Sequence, residues 1–449
     1  FGEGTFSCTP PTQIERDQLV RYYNTPTLTS EFTVLFLLFG DQSLQGFQQN
    51  LIFQPGQIRH SGAQTYVQDS MDFIIDSRGR QISTNFAKTL LEHQYNGQFY
   101  AHFGTKYWGS QSIKAPIFFQ IDPYASEEVS ILMGPKMNLN RSGSKSQEVI
   151  SQFHRREDYL RGEELTPGFF EFLRPTNYII NSHIAENLDF SAEAVVDFTS
   201  LSPEQRWIYF EIYEEMVVDS VMWNGQKMPF FKERYNPMLW IECVPKLLEL
   251  ERRTLRIYYH GRLIRRAGYN LDRKILSIQS AIGWYPRHGG RDAATFDLTF
   301  TAPKELKLIS VGDLQHSESK GVMTTSRWLT KGAIRNAAFN IGYYNPHEIQ
   351  DFGMVPITVL AIEDNRGDLD QEVSDDVVGS FKLFRQQFGQ VQADRLYVTE
   401  TPFPHGLAFP GMLHLSWSGT LDLSPRGYEA VFRAHEVAHQ WWGIDRSEE

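Results

Sequence analysis

The chain has 449 residues, 41% hydrophobic and 22% charged, which excludes a disordered or fibrous protein and is too long for one ordinary core. A formal net charge of −11 argues against nucleic acid or an anionic membrane as partner, since either favours a basic face. The longest apolar run, Phe32–Phe39, is too short to cross a bilayer, and the two cysteines, Cys8 and Cys243, lie too far apart for a CxxC metal knuckle and read as unrelated thiols.

From the start to about residue 140, short alternating or apolar runs are broken by Gly, Pro, Asn and Asp. Phe32–Phe39, Asp72–Ile75, Gln98–Phe103 and Ala115–Ile121 read as strands of a β-rich domain. A polar run over 140–146 reads as a linker, with a chance glycosylation sequon at Asn140. Beyond it, Val149, Ile150, Phe153 and Tyr159 have helical spacing and predict a bridging helix over 147–161. A second β domain follows from about 170 to 315, with strands at Trp207–Tyr213, Val217–Trp223, Thr254–Tyr259 and Ala294–Thr301. Asn224-Gly225 marks a tight turn in it.

The last region changes character. Val355–Ala361 reads as a buried strand, Glu363–Asp370 as a solvated polar loop, and Ser374–Gln387 as an amphipathic helix. That helix carries Val377, Val378, Phe381, Phe384 and Phe388 as its stripe and Gly389 as its stop. Arg395–Thr399 is the next strand, so this part is a mixed α/β layer.

The informative helix comes last. Ser424 suits its N-cap, Pro425 its first position and Gly443 its end. It contains His435-Glu436-Val437-Ala438-His439. Residues four apart share one helical face, so both imidazoles can turn a nitrogen to one point and hold Zn²⁺ at about 2.0–2.1 Å. Glu436 is placed to take a proton from a metal-bound water. The rival is a histidine pair that merely packs. No histidine follows His439, which excludes the ligand set of the metzincins. A catalytic zinc takes three protein ligands and a water, and Glu448 and Glu449 are too close in sequence to His439 to be the third. Both ends of the chain read as cut, so a targeting segment and the compartment are not legible.

The stretch from His435 to Gly443, His-Glu-Val-Ala-His-Gln-Trp-Trp-Gly, resembles the zinc helix of the aminopeptidase N and leukotriene A-four hydrolase family, the gluzincin type. Tyr285-Pro286 with Ala294–Phe300 and Pro303, the turn Trp223-Asn224-Gly225, and Tyr259-His260-Gly261 also resemble it. The resemblance implies a multidomain fold: a β-rich N-terminal domain over 1–145, a helical linker over 146–172 and a saddle-like β domain over 173–318. Residues 319–449 would be the first part of a thermolysin-like α/β catalytic domain. It implies zinc-dependent peptide hydrolysis on a peptide substrate, with Zn²⁺ held by His435, His439 and a glutamate beyond residue 449, and Glu436 as general base. The family's substrate-binding strand matches Gly411, Met412 and Leu413, and Leu413 stands where the family has the glutamate that grips a free α-amine. Strict aminopeptidase specificity is therefore in doubt, and the alternative is a non-catalytic peptide-binding relative that kept the fold. Ile444 departs from the Asn of relatives, and His414 is expected in a structural or substrate-contact role.

Overall fold

The computed structural model describes residues 4–40, 64–71 (apart from 65 and 69), 81–93, 97–104, 116–133 (apart from 123–124 and 126) and 148–154. It continues with 172–263 (apart from 203 and 233–235), 276–277, 283–289, 293–349, 354–362, 368–391, 393–401, 406–417 and 428–442. The expected strand Asp72–Ile75, the linker with Asn140, the cap residues Ser424 and Pro425, and Gly443, Ile444, Glu448 and Glu449 lie outside the described residues. The chain divides into two compact units, Phe1–Glu171 and Phe172–Glu449.

In the first unit, β1 (Gly4–Cys8) pairs antiparallel with β2 (Leu28–Phe32), and α1 spans Gln13–Tyr23. A second sheet runs in the order β3 (Val34–Phe39), β4 (Phe99–Gly104), β5 (Ile117–Ile121), β6 (Val129–Met133), β7 (Glu148–Phe153), antiparallel throughout, and α2 spans Gln81–Glu92. Alternation along β5 and β6 splits their side chains between two clusters. Ile117, Val129 and Ile131 join Phe6, Leu28 and Phe153, while Phe118 and Leu132 join Tyr100, as the two-residue strand period requires. The helix expected over 147–161 does not form at its start, where residues 148–153 are β7. Val149 and Ile150, a helical pair by spacing, instead alternate across an edge strand whose pairing with β6 supplies backbone hydrogen bonds, and tertiary pairing overrides a weak period.

The second unit is built on an eight-stranded sheet. Its strands are β8 (Leu173–Ile184), β9 (Asp189–Ser200), β11 (Val217–Trp223), β12 (Gln226–Lys227), β15 (Arg252–Arg262), β17 (Thr295–Pro303), β19 (Asp313–Lys320) and β20 (Met323–Leu329). They run in the order 12-11-15-9-8-17-20-19. β8 alternates buried and exposed almost without a break, the pattern of a sheet packed on one face. Asn224 and Gly225 have φ of 49° and 77° and join β11 to β12, the two positive-φ positions that a type I′ hairpin needs. Two three-stranded sheets complete this layer: β10 (Gln205–Glu211), β14 (Met238–Leu247) and β13 (Phe230–Phe231), then β16 (Leu276–Ser277), β21 (Phe339–Gly342) and β18 (Lys307–Ser310).

The same unit ends in a five-stranded mixed sheet. Its order is β22 (Tyr344–Ile349), β23 (Ile357–Ile362), β24 (Leu396–Thr401), β26 (Met412–Ser416), β25 (Leu407–Phe409), with β23, β24 and β26 parallel and the two outer strands antiparallel. Helix α3 (Asp368–Phe388) connects β23 to β24, and α4 (Tyr428–Ala438) follows the sheet. Ile357, Val359, Leu396, Val398, Leu413 and Leu415 from the strands meet Val373, Val377 and Phe381 of α3 and Val437 of α4 in one core. The opposite face meets the β21 layer, where the Asn340 side-chain amide donates to the Thr399 hydroxyl. α3 begins at Asp368, inside the run read as a solvated loop.

Cys8 and Cys243 are both free thiols. Among the described residues no helix is long and apolar enough to cross a membrane.

Candidate metal centre and active site

Helix α4 is placed by burial of one face. Val437 is fully buried against the five-stranded sheet, while His435 lies on the exposed side. Two residues before His435, Arg433 is 2% exposed, and its Nη1 donates to the Asp376 carboxylate at 2.6 Å and to Glu372 at 3.3 Å. A buried guanidinium requires partners, so this pair fixes the rotation of α4 against α3 and with it the direction of the histidines.

The helix stops at Ala438 and tightens into turns. Gln440 N–H donates to Val437 O, and the N–H groups of Trp441 and Trp442 both reach Ala438 O. His435 and His439 nevertheless converge. Their Nε2 atoms lie 3.2 Å apart, with the rings at 84°. Two nitrogens each about 2.0–2.1 Å from a tetrahedral ion lie about 3.3 Å apart, so the pair fits a zinc chelate. His439 Nδ1 lies 3.1 Å from the Trp442 carbonyl oxygen. A carbonyl only accepts, so Nδ1 carries the proton and Nε2 presents its lone pair toward His435, the arrangement that metal-binding imidazoles take from an outer hydrogen bond. Among the described residues, no three His, Cys, Asp or Glu side chains gather around a common point. His435 and His439 are a candidate pair of ligands.

Glu436, next in sequence, is 6% exposed. Its carboxyl end lies against Gly406, just before β25. A Cβ at Gly406 would fall on the Glu436 Cγ, Cδ and Oε1 inside contact distance. Glycine at 406 is what lets the carboxylate reach the edge of the sheet.

Gly411, Met412 and Leu413 are not brought to an open edge. Met412 and Leu413 are fully buried, Leu413 within the core beneath α3 and α4. β26 has β24 on one side and β25 on the other. Gly411 is the second residue of a Pro410-Gly411 turn, with φ 72°, and Phe409 and Met412 face each other across it. This is the proline-glycine pattern of a type II turn. Of the three residues expected on one substrate-binding strand, Gly411 lies in this turn and Met412 and Leu413 in the strand after it. Leu413 is a core residue. His414 is 1% exposed and packs its ring against Phe409 at 5.0 Å, the structural alternative for that residue.

Two residues adjoining the site escaped the sequence reading. Gly406 has only the strand–turn–strand pattern of 406–416 as a signal, and Gln440 has none beyond following His439.

No family model matches this sequence, and no curated protein matches it. Solved structures do. A two-domain M1 zinc metallopeptidase mutant bound to L-arginine superposes with a TM-score of 0.50 at 15% identity, over 62% of this chain and 66% of that one. An M1 zinc metallopeptidase from Deinococcus radiodurans gives 0.48 at 16% identity, over 61% of this chain and 65% of that one. The chain thus spans slightly less than two thirds of the length of these proteins. Over 62% of its length, with its β-rich layers and few helices, the chain shares the fold of the two-domain M1 zinc metallopeptidase.

Proposed function

We propose that this chain carries the zinc-binding helix and peptide-docking edge of a metal-dependent peptidase. The observation that carries the reading is the 3.2 Å approach of His435 Nε2 to His439 Nε2, with His439 oriented through Nδ1 by a carbonyl. Zinc held there supplies Lewis-acid polarisation of a scissile carbonyl and a water of lowered pKa. The third protein ligand is expected from residues outside the described ones. Glu436 is the general base, taking the water's proton and giving it to the leaving amine. Its low exposure keeps bulk water from competing for that proton.

Among the described residues β25 is the outermost strand of its sheet, and its outer edge is where an extended peptide would add as a further strand, in the manner of β-augmentation. Residues 406–409 are Gly-Leu-Ala-Phe and bring no acidic side chain. The substrate class is therefore peptides, without a demand from this strand for a free α-amine.

The test is zinc titration and peptide turnover by the complete gene product and its Glu436→Gln variant. Both proteins are expected to bind zinc, and only the parent to hydrolyse. If zinc binds and neither internal nor N-terminal peptide bonds are cut, the non-catalytic peptide binder replaces this reading.

A further inference from the structure

The stretch following His439 reaches across to the edge of the sheet through one side chain. Gln440 Oε1 accepts the Gly411 N–H at 2.9 Å, and Gln440 Nε2 donates to the Phe409 carbonyl at 3.0 Å. Both ends of the amide are used, and both partners flank Pro410 at the tip of the turn joining β25 to β26. Gly411 is itself anchored on its other side, where its carbonyl accepts the Tyr397 N–H at 2.9 Å.

β25 is held by the packing of Ala408 and Phe409 and by one ladder. It is three residues long, pairs on one side only among the described residues, and contributes Leu407, Ala408 and Phe409 to the ladder. An edge strand this short has low local stability. Gln440 is covalently next to His439, so one amide ties β25 to the residue whose imidazole meets His435. Planar geometry with one donor and one acceptor sets both distance and register, which an apolar contact could not do.

We propose that Gln440 is a positioning residue. It sets the spacing between the paired imidazoles and the strand along which a peptide lies, so that a docked peptide presents its scissile bond at the metal. The proposal rests on the peptidase reading above. Because Gln440 acts through β25, its contribution grows with the number of substrate residues running along that strand.

The test uses the complete gene product with Gln440→Met, which keeps length and loses both hydrogen bonds, and Gln440→Glu, which keeps the acceptor and sets a carboxylate against the Phe409 carbonyl. Loss of these bonds is expected to speed amide hydrogen exchange over residues 406–412 about tenfold. It is also expected to raise KM for a tetrapeptide about tenfold with kcat changed less than threefold. KM for an aminoacyl p-nitroanilide, which barely extends along the strand, and the bound zinc are expected to be unchanged. Unaltered exchange in both variants, or equal losses on both substrates accompanied by lost zinc, overturns the proposal. Should the parent protein bind zinc and cleave neither substrate, the peptidase reading fails, and the exchange rates still decide whether Gln440 holds the strand.

Discussion

Replacing Gly406 by alanine tests the relation between the edge strand and the general base. The added Cβ collides with three atoms of Glu436, Cγ, Cδ and Oε1, so rotation of the carboxyl group alone does not clear it. Glu436 must leave its position or the start of β25 must move outward. Overpacking of this kind costs about 1–3 kcal/mol, a fall in melting temperature of about 2–4 °C for each kcal/mol in a domain of this size. The catalytic effect is larger, since a displacement near 1 Å in a reacting group costs about 100-fold. The expected result is kcat reduced about 100-fold with zinc content unchanged, measured by steady-state hydrolysis and metal analysis of the same samples. A stability cycle with Glu436→Ala separates the causes. Removing the carboxylate is expected to make Gly406→Ala nearly neutral to unfolding. A Gly406→Ala protein that keeps turnover within threefold of the parent, or a cycle without coupling, refutes the close approach of Gly406 to Glu436 as a determinant of activity.

His435→Ala and His439→Ala are each expected to abolish measurable zinc binding by isothermal titration, while Glu436→Gln binds normally and loses about 10²–10⁴ in kcat. A histidine variant that keeps zinc would remove the chelate. Arg433→Met is expected to lower stability by about 2–4 kcal/mol in urea unfolding, below the full cost of breaking a buried pair because Asp376 and Glu372 keep contact with water; an unchanged midpoint would show that α3 and α4 need no ion pair. In the first unit, His102 is buried and its pKa is pushed down to about 3 by desolvation, with Ser70 Oγ 2.7 Å from Nδ1. The unfolded chain takes up this proton near pH 6.5 and the folded one near 3. His102 therefore costs no stability above pH 6.5, and its contribution falls by about 1.4 kcal/mol per pH unit between those values on acidification. Urea midpoints from pH 7 to pH 5 are expected to fall more steeply than in His102→Gln, and equal slopes would count against the burial argument.

The sequence alone determined those parts of this protein whose signals are local. The strands Val217–Trp223 and Ala294–Thr301, the latter formed at Thr295–Pro303, and the Asn224-Gly225 turn follow from side-chain alternation and from backbone positions that only certain residues tolerate. The His435–His439 spacing belongs with them, because helical period alone makes two imidazoles neighbours. Tertiary structure decided everything that depends on which surface a strand presents. Val149 and Ile150 joined a sheet because β6 had an unpaired edge, and Leu413 went into the core because α3 and α4 cover its face of β26. The approach of Gly406 to Glu436 and the reach of Gln440 to Phe409 and Gly411 join residues about thirty positions apart in the chain, a distance over which periodicity carries no information and only packing does.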